Sequence, residues 1–380
     1  MSIRKLKPMG LMQLLAPLLA VILAIVLALL AAWALITSAA AQIAQPTAED
    51  LASSAGADRM AKLVAGAKKE GSVAVYTSAA MDDMGAIVAA FEKKYGVKVR
   101  LWRGSSENIV QRAVTEVRGG RFEADVMETG ALAMESMRRE RLFQEIKAPA
   151  LSELLPAAIP SHREWVGTRF NIFVAAYNTR QIKKDELPKS YGDLLDRRWK
   201  GKLGIEAEDS DWFGGVVTAL GEDKGLALFR EIVATNGLSV RKGHTLLANL
   251  VVSGEVPFAL TTYAYKAEQL RRNGAPIGWL VLAPGVARLE GIGVARRAAR
   301  PHAAILFFEF MLTDAQDILR DRDFFPARAN AKSLPEGWMF SIPSKRSMTP
   351  RNGANISAIS SPLRAKWGDQ TAAVRRHPRA

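Results

Sequence analysis

Cysteine is absent from this chain. No disulfide framework, thiolate nucleophile, iron–sulfur cluster or cysteine-rich zinc site can be built from it. Histidine is scarce. The four, at His162, His244, His302 and His377, show neither His-x-x-x-His nor His-Glu-x-x-His spacing, so the helical zinc motif is missing. There is no Gly-x-Ser-x-Gly nucleophile elbow, no P-loop, and no Gly-x-Gly-x-x-Gly turn after a strand. Carboxylates are plentiful, so a hydrolase built on two acids is not excluded by counting. Beyond residue 41 no second apolar run is long enough to span a bilayer, which excludes a polytopic channel or permease. No internal repeat of solenoid period is visible.

What is present begins with the opening 41 residues. Residues 1–10 carry Arg4, Lys5 and Lys7 and no acid, residues 11–36 are almost wholly apolar, and Thr37-Ser38-Ala39-Ala40-Ala41 precedes Gln42. A basic start, an apolar centre and a small-residue exit read as a secretory signal. The apolar run, about 26 residues, exceeds the roughly 7–15 usual in a cleaved signal and suffices to span a membrane. Two outcomes are expected, cleavage after Ala41 or retention as an inner-membrane anchor. Both put the remaining chain on the outer, periplasmic side, because the positive end stays inside. Nucleic-acid partners and cytosolic metabolism are disfavoured accordingly.

The formal charge of +14 gives the same answer once it is divided. The opening 41 residues hold three of those charges and residues 341–380 a net seven, leaving +4 for the stretch between. A solvated, mildly basic surface is expected there rather than a polyanion-binding face. About 339 residues remain after the leader, long for one core and suited to two lobes.

Residues 73–140 alternate strand and helix. Apolar runs at 73–76, 97–102 and 124–127 read as strands. Met84, Ile87, Val88, Phe91 and Tyr95 share one helical face. Ile109, Ala113 and Val117 share another, and 131–140 reads as a third helix. Such alternation implies a parallel sheet with helices on both faces, and ligands on such sheets sit at the carboxyl ends of the strands. The loops 77–81, 103–108 and 128–131 are therefore candidate binding loops. Further on, strands are expected at 171–178, 202–206, 256–260, 280–282 and 292–295. Helices are expected at 51–69, 212–220, 224–234, 246–253 and, as one long element, 301–319.

Particular segments resemble family 1 extracellular solute-binding proteins. They are Val75-Tyr76-Thr77-Ser78, the helix ending Phe91 to Val99, Gly104-Ser105-Ser106 and Ala124-Asp125-Val126. Later come Tyr177-Asn178-Thr179, Trp199-Lys200-Gly201-Lys202-Leu203-Gly204, Ser253-Gly254-Glu255-Val256-Pro257, Pro301-His302-Ala303-Ala304 with Phe308 to Thr313, and Phe325-Pro326-Ala327-Arg328. Their order and spacing over residues 63–331 are most similar to the iron(III)-type branch of the substrate-binding proteins of ABC importers. The resemblance implies an α/β fold of the type II periplasmic-binding-protein, Venus-flytrap kind, each lobe a mainly parallel sheet flanked by helices. It also implies a non-catalytic receptor that captures a small solute and delivers it to a permease and its ATPase. A monomer without resident cofactor is expected, its ligand ferric iron or a small charged organic solute such as a polyamine or phosphonate. A membrane-tethered sensor or scaffold and a periplasmic hydrolase are the readings of a different class.

In the ferric branch the resemblance implies a His after the first strand, a Glu after the third, and two adjacent tyrosines. This chain has Ala80, Gly130 and Tyr263-Ala264-Tyr265 in those places. Ferric iron is a hard cation that takes oxygen ligands, so Tyr263, Tyr265 and Glu128 are the candidate donors. A synergistic anion could be cradled by Thr77 and Ser78 or by Ser105 and Ser106 at a helix start. Tyr263 and Tyr265, two apart, would share one face of a strand. Glu206, Asp209 and Asp211 precede Trp212-Phe213 and form either a carboxylate wall or ordinary acids at a helix start. His244 is a candidate cleft residue. The expected organisation is a leader over 1–41, a mobile segment over 42–58, lobe 1 from 59–170 and 288–335, lobe 2 from 171–287, and a basic, disordered tail over 336–380.

Overall fold

Alternating apolar runs and amphipathic stretches fold into helices α1 (Arg59–Glu70), α2 (Met81–Tyr95), α3 (Ser106–Arg118) and α4 (Ala131–Arg139), interleaved with strands β1 (Ser72–Thr77), β2 (Lys98–Arg103) and β3 (Val126–Gly130). A long strand β4 (Val166–Asn178) follows. Then come β5 (Leu203–Glu206), α5 (Ser210–Leu220), α6 (Glu222–Asn236), β6 (Ser239–Arg241) and α7 (His244–Ser253). The chain continues through β7 (Phe258–Tyr263), α8 (Ala264–Arg272), β8 (Ile277–Leu280) and β9 (Val286–Val294). It closes with α9 (Pro301–Leu312), α10 (Asp314–Asp321), β10 (Phe325–Pro326) and β11 (Met339–Ser341). The structure, a computed structural model, describes residues 50–51, 56, 58–329 and 339–341. The expected leader, its apolar run and nearly all of the expected tail lie outside the described residues. Among the described residues no helix is long and apolar enough to cross a membrane.

The strands run in the order β2-β1-β3-β9-β4-β7-β5-β6. At one end β2, β1 and β3 are parallel, and at the other β6, β5 and β7 are parallel. Between them β9 and β4 are antiparallel to each other and to the parallel sets they join. Each parallel set thus ends on a strand shared with the other half of the molecule, which the expectation of mainly parallel lobes did not include. Long β4 and β9 carry apolar residues on both faces because both faces are covered.

Two cores flank this crossing. The first takes its buried residues from 63–170 and 289–327, and the second from 173–286. On β4 the change of core falls between Phe170 and Phe173, and on β9 between Val286 and Leu289. In the first core α2 buries Met84, Ile87 and Phe91, the face expected from spacing. It stops at Gly96, whose φ of 70° is a left-handed cap that a side chain would strain. Helix α9 is buried almost all round, and Phe91 meets Phe307 at 5.1 Å and Phe310 at 5.4 Å, both edge-on.

Several boundaries differ from expectation. The expected 301–319 helix breaks at Thr313 (φ −116°, ψ −95°) into α9 and α10. Of the expected 51–69 helix, Leu51 and Arg59–Glu70 are helical, with a bend at Gly56 and a turn at Asp58 among the described residues between them. Residues 339–341, placed by expectation in a disordered tail, pair in parallel with Val286–Arg288.

Where the strands change core, polar side chains are buried. Arg169 and Asn171 on β4, Glu290 on β9 and Glu128 on β3 are each no more than 5% exposed. The Arg169 guanidinium pairs with Glu128 and lies 4.0 Å from Glu290, while Asn171 Nδ2 donates to Glu290 Oε1 at 2.9 Å. Burial, reinforced by the charge of Glu128, raises the Glu290 carboxyl from its usual 4.5 to about 7 against the pull of Arg169 and Arg288.

Two predictions follow from this packing. Phe91→Ala empties an aromatic contact in a closed core and should cost about 3–5 kcal/mol, read as a lower urea midpoint. Glu290 keeps its proton to higher pH when folded than when unfolded. Its contribution to stability is therefore complete below about pH 4.5 and is lost as the pH rises toward about 7. Glu290→Gln should flatten the fall of melting temperature across that window; curves of equal slope would remove Glu290 as its source.

Candidate functional site

In the second lobe the carboxyl ends of β5 and β7 and the amino ends of α5 and α7 converge. Glu206 closes β5, Asp209 stands at the N-cap position of α5 without a side-chain capping bond, Asp211 lies in its first turn, His244 opens α7, and Tyr263 closes β7. Strand β9 supplies the residue at their centre, Arg288. Its Nε donates to Asp211 Oδ2 at 2.6 Å and its Nη2 to both Asp211 Oδ1 and Asp209 Oδ1, the latter at 3.1 Å. Its Nη1 donates to the Tyr263 hydroxyl at 2.5 Å. The guanidinium also stands over the Phe173 ring at 4.9 Å. His244 Nε2 is 3.1 Å from Asp209 Oδ1, and the imidazole packs on the Tyr263 ring at 3.8 Å.

The cluster is buried and charged. Asp209 and Tyr263 are 3% and 5% exposed. Burial pushes the Tyr263 phenol well up, against the pull of Arg288. Burial, with the charge of Asp209 behind it, raises the Glu206 carboxyl. Glu206 Oε1 accepts from the Gly243 amide at 2.8 Å. Asp209 Oδ2 and His244 Nδ1 are buried without a hydrogen-bond partner among the described residues. Glu206, Asp209 and His244 present ligand atoms within 4.8 Å of one another, a spacing that suits a metal ion.

The first lobe meets this cluster through β3 and α3. A β carbon on Gly130 would stand 3.4 Å from Arg288 Cδ, 3.7 Å from Ser106 Oγ and 3.9 Å from Glu290 Oε1. Ser106, Gly130 and the Arg288 cluster therefore border one space. Ser105 caps α3, its Oγ accepting from the Asn108 amide at 3.3 Å, and Ser106 Oγ accepts from Thr129 at 2.8 Å. At the rim Lys242 bridges the lobes, 2.9 Å from Glu208 and 3.8 Å from Glu107 of α3.

Of the residues singled out by sequence, Glu206, Asp209, Asp211, His244 and Tyr263 come together. Thr77 and Glu128 form a separate pair. Thr77 Oγ1 donates to Glu128, whose other oxygen is taken by Arg169, and both side chains are fully buried. Ser78 sits beside them, its amide donating to the Glu128 carbonyl at 3.1 Å. The expectation that Tyr263 and Tyr265 share a strand face is corrected. Strand β7 ends at Tyr263, and Tyr265 lies in the first turn of α8. Its ring stacks on Phe324 at 3.8 Å and parallels Tyr263 at 5.8 Å.

Sequence reasoning passed over Arg288, Arg169 and Glu290. The signal was there. Val-Ala-Arg-Leu-Glu-Gly-Ile-Gly-Val and Val-Gly-Thr-Arg-Phe-Asn-Ile-Phe-Val each set charged or amide side chains two apart inside an apolar strand run. A charge in such a run is buried only when paired.

Residues 125–349 match the family described as bacterial extracellular solute-binding protein. The chain is 27% identical over 266 residues to the Fe(3+)-binding periplasmic protein of Serratia marcescens, covering 65% of this chain and 78% of that one. Its fold is shared with iron-bound HitA from Pseudomonas aeruginosa (TM-score 0.63, 22% identity, 77% of this chain and 98% of that one). It is shared equally with the periplasmic binding protein AfuA from Actinobacillus pleuropneumoniae, solved with fructose-6-phosphate bound (TM-score 0.63, 20% identity, 79% and 98%). With more than half its length matched, this chain belongs to the bacterial extracellular solute-binding protein family.

Proposed function

We propose that this chain is the periplasmic substrate-binding component of an ABC importer, that its cargo is ferric iron, and that it hands the ion unaltered to an inner-membrane permease. The observation that carries the reading is the set of hard donors around Arg288. Asp209, Asp211 and Glu206 bring three carboxylates, Tyr263 a phenol and His244 an imidazole, at the carboxyl ends of the strands. Oxygen-rich sets of this kind suit ferric iron. One guanidinium among three carboxylates leaves surplus negative charge, and the partnerless Asp209 Oδ2 is an acceptor awaiting a cation. In this reading Arg288 is the resident counter-ion. The cation replaces it on Asp211 and Tyr263 as the lobes close about the β4 and β9 crossings, a hinge motion of a familiar kind. The similarity to an Fe(3+)-binding periplasmic protein supports the cargo. In this reading Ser105 and Ser106, at the start of α3 on the facing lobe, hold an accompanying anion. Retention of residues 1–41 as an anchor, or their cleavage, fits this role equally.

A second cargo is favoured by Arg288 itself. A guanidinium in a cleft is a natural seat for a phosphate or phosphonate group, and a neighbour of the same fold was solved with fructose-6-phosphate. Here Arg288 would bind the solute rather than yield to a cation.

Titration with ferric citrate, followed by visible phenolate-to-iron colour and by calorimetry, tests the iron reading. Tyr263→Phe should abolish the colour and weaken binding by on the order of 100-fold, at least the loss that an outer-shell partner causes. Unchanged affinity removes Tyr263 from the site. Arg288→Gln separates the two cargoes. It should strengthen iron binding where the guanidinium is a competing cation, and abolish binding of a sugar phosphate or phosphonate where it is the anion's partner.

A further inference from the structure

The first lobe holds a cavity of about 300 Å³ at the end of its sheet away from the cleft. It lies where α3 and α4 finish and where the chain enters β3 and leaves β9. Helix α3 starts beside Gly130 and ends here; its 13 residues put about 20 Å between the two places. The volume falls at the lower end of the roughly 300–1,000 Å³ of small-ligand pockets.

The lining joins an apolar floor to an arginine rim. Met127, Leu142 and Ala295 are buried beneath it. Arg121, Arg141, Arg296 and Arg297 surround it, all exposed. They come from three separate loops, far apart in sequence. Arg296 is held by the Phe143 carbonyl at 2.7 Å and by Glu164 at 3.6 Å. Among the described residues no carboxylate pairs with Arg121, Arg141 or Arg297. Arg297 stands over the Phe122 ring at 5.1 Å, which stiffens one side of the rim. Two acids also line the cavity. Glu116 is engaged by the Tyr76 hydroxyl and by Arg112, leaving Glu123 alone against four guanidinium groups. Arg141 moreover adopts φ 58°, a conformation that asparagine or glycine takes more easily. Arginines in the last turns of α3 and α4, such as Arg118 and Arg138, answer the helix dipoles. The rim arginines lie beyond those turns and have no such explanation.

We propose that this cavity is a second ligand site, for the anionic phosphate head of a membrane amphiphile. Guanidinium forks bind phosphate oxygens in pairs, and the apolar floor accepts the adjoining glycerol and acyl carbons. Such a contact would seat the receptor on the outer face of an anionic bilayer. The inference is independent of which cargo the cleft takes.

Calorimetry with soluble short-chain lipids tests it. Dihexanoyl phosphatidylglycerol should bind, and dihexanoyl phosphatidylcholine, whose head is neutral overall, at least tenfold more weakly. Glycerol 3-phosphate, the same anion without its apolar body, should also bind more weakly than the lipid. Combining Arg121→Ser, Arg141→Asn and Arg297→Ser should lower phosphatidylglycerol affinity on the order of 100-fold, at about fivefold per arginine. An unchanged melting temperature would show the fold intact; should the triple variant melt early, Arg297→Ser alone must still show its fivefold loss. Arg118→Ser, which removes the ion pair to Glu140 outside the cavity, should change nothing. Equal binding of the two lipid heads, full affinity in the rim variants, or glycerol 3-phosphate binding as tightly as the lipid would each overturn the proposal.

Discussion

Two guanidinium groups, Arg169 and Arg288, are held in the seam where β4 and β9 pass from one hydrophobic core to the other. Neither can be left bare there, because an unpaired buried charge costs several kcal/mol. Arg169 draws Glu128 and Glu290 to itself, and Arg288 draws Asp209, Asp211 and the Tyr263 hydroxyl. The rest of the site follows from meeting those demands. The loops after β5 and β7 must bring their acids and phenol inward, and His244 fills the remaining face of Asp209 and Tyr263.

The topology makes this seam the natural place for a ligand. Parallel sets β2-β1-β3 and β6-β5-β7 both open their carboxyl ends toward it, so the helix starts of α3, α5 and α7 face one space. Helix amino termini favour anions and their amides need acceptors. Glu206 meets that need at Gly243, and Ser105 meets it at Asn108. The lobes also touch around this space: Lys242 lies near Glu208 and Glu107 at the rim, Gln269 of α8 donates to Asp83 of α2 at 3.1 Å, and Tyr265 stacks on Phe324.

Charge is sorted along the first lobe. Acids and paired arginines collect at the seam, while around the cavity at the far end of α3 stand Arg121, Arg141 and Arg297, with which no carboxylate pairs among the described residues. A net charge summed along the chain blurs this. The modest +4 of residues 42–340 conceals a local excess that arises only because residues 121, 141 and 296–297 fold onto one rim.

Local pattern alone determined a good deal. Apolar spacing in α2 and α3, the glycine that stops α2, and the strand–helix alternation of the first lobe were all legible, since each depends on neighbours within a few residues. The carboxylate group ahead of Trp212, Tyr263 and His244 were legible as chemistry. Their association was not, because it is made by Arg288, which stands 25 residues from Tyr263 and 77 from Asp211. Tyr265 was misplaced for a related reason: whether a strand ends or a helix begins at residue 264 is decided by what packs there, here Phe324 from the far end of the chain. Sequence thus specified the elements and the kinds of donor, through short-range periodicity and side-chain chemistry. Tertiary structure chose the partners, because pairing a buried charge is a condition on the whole fold and on no single segment of it.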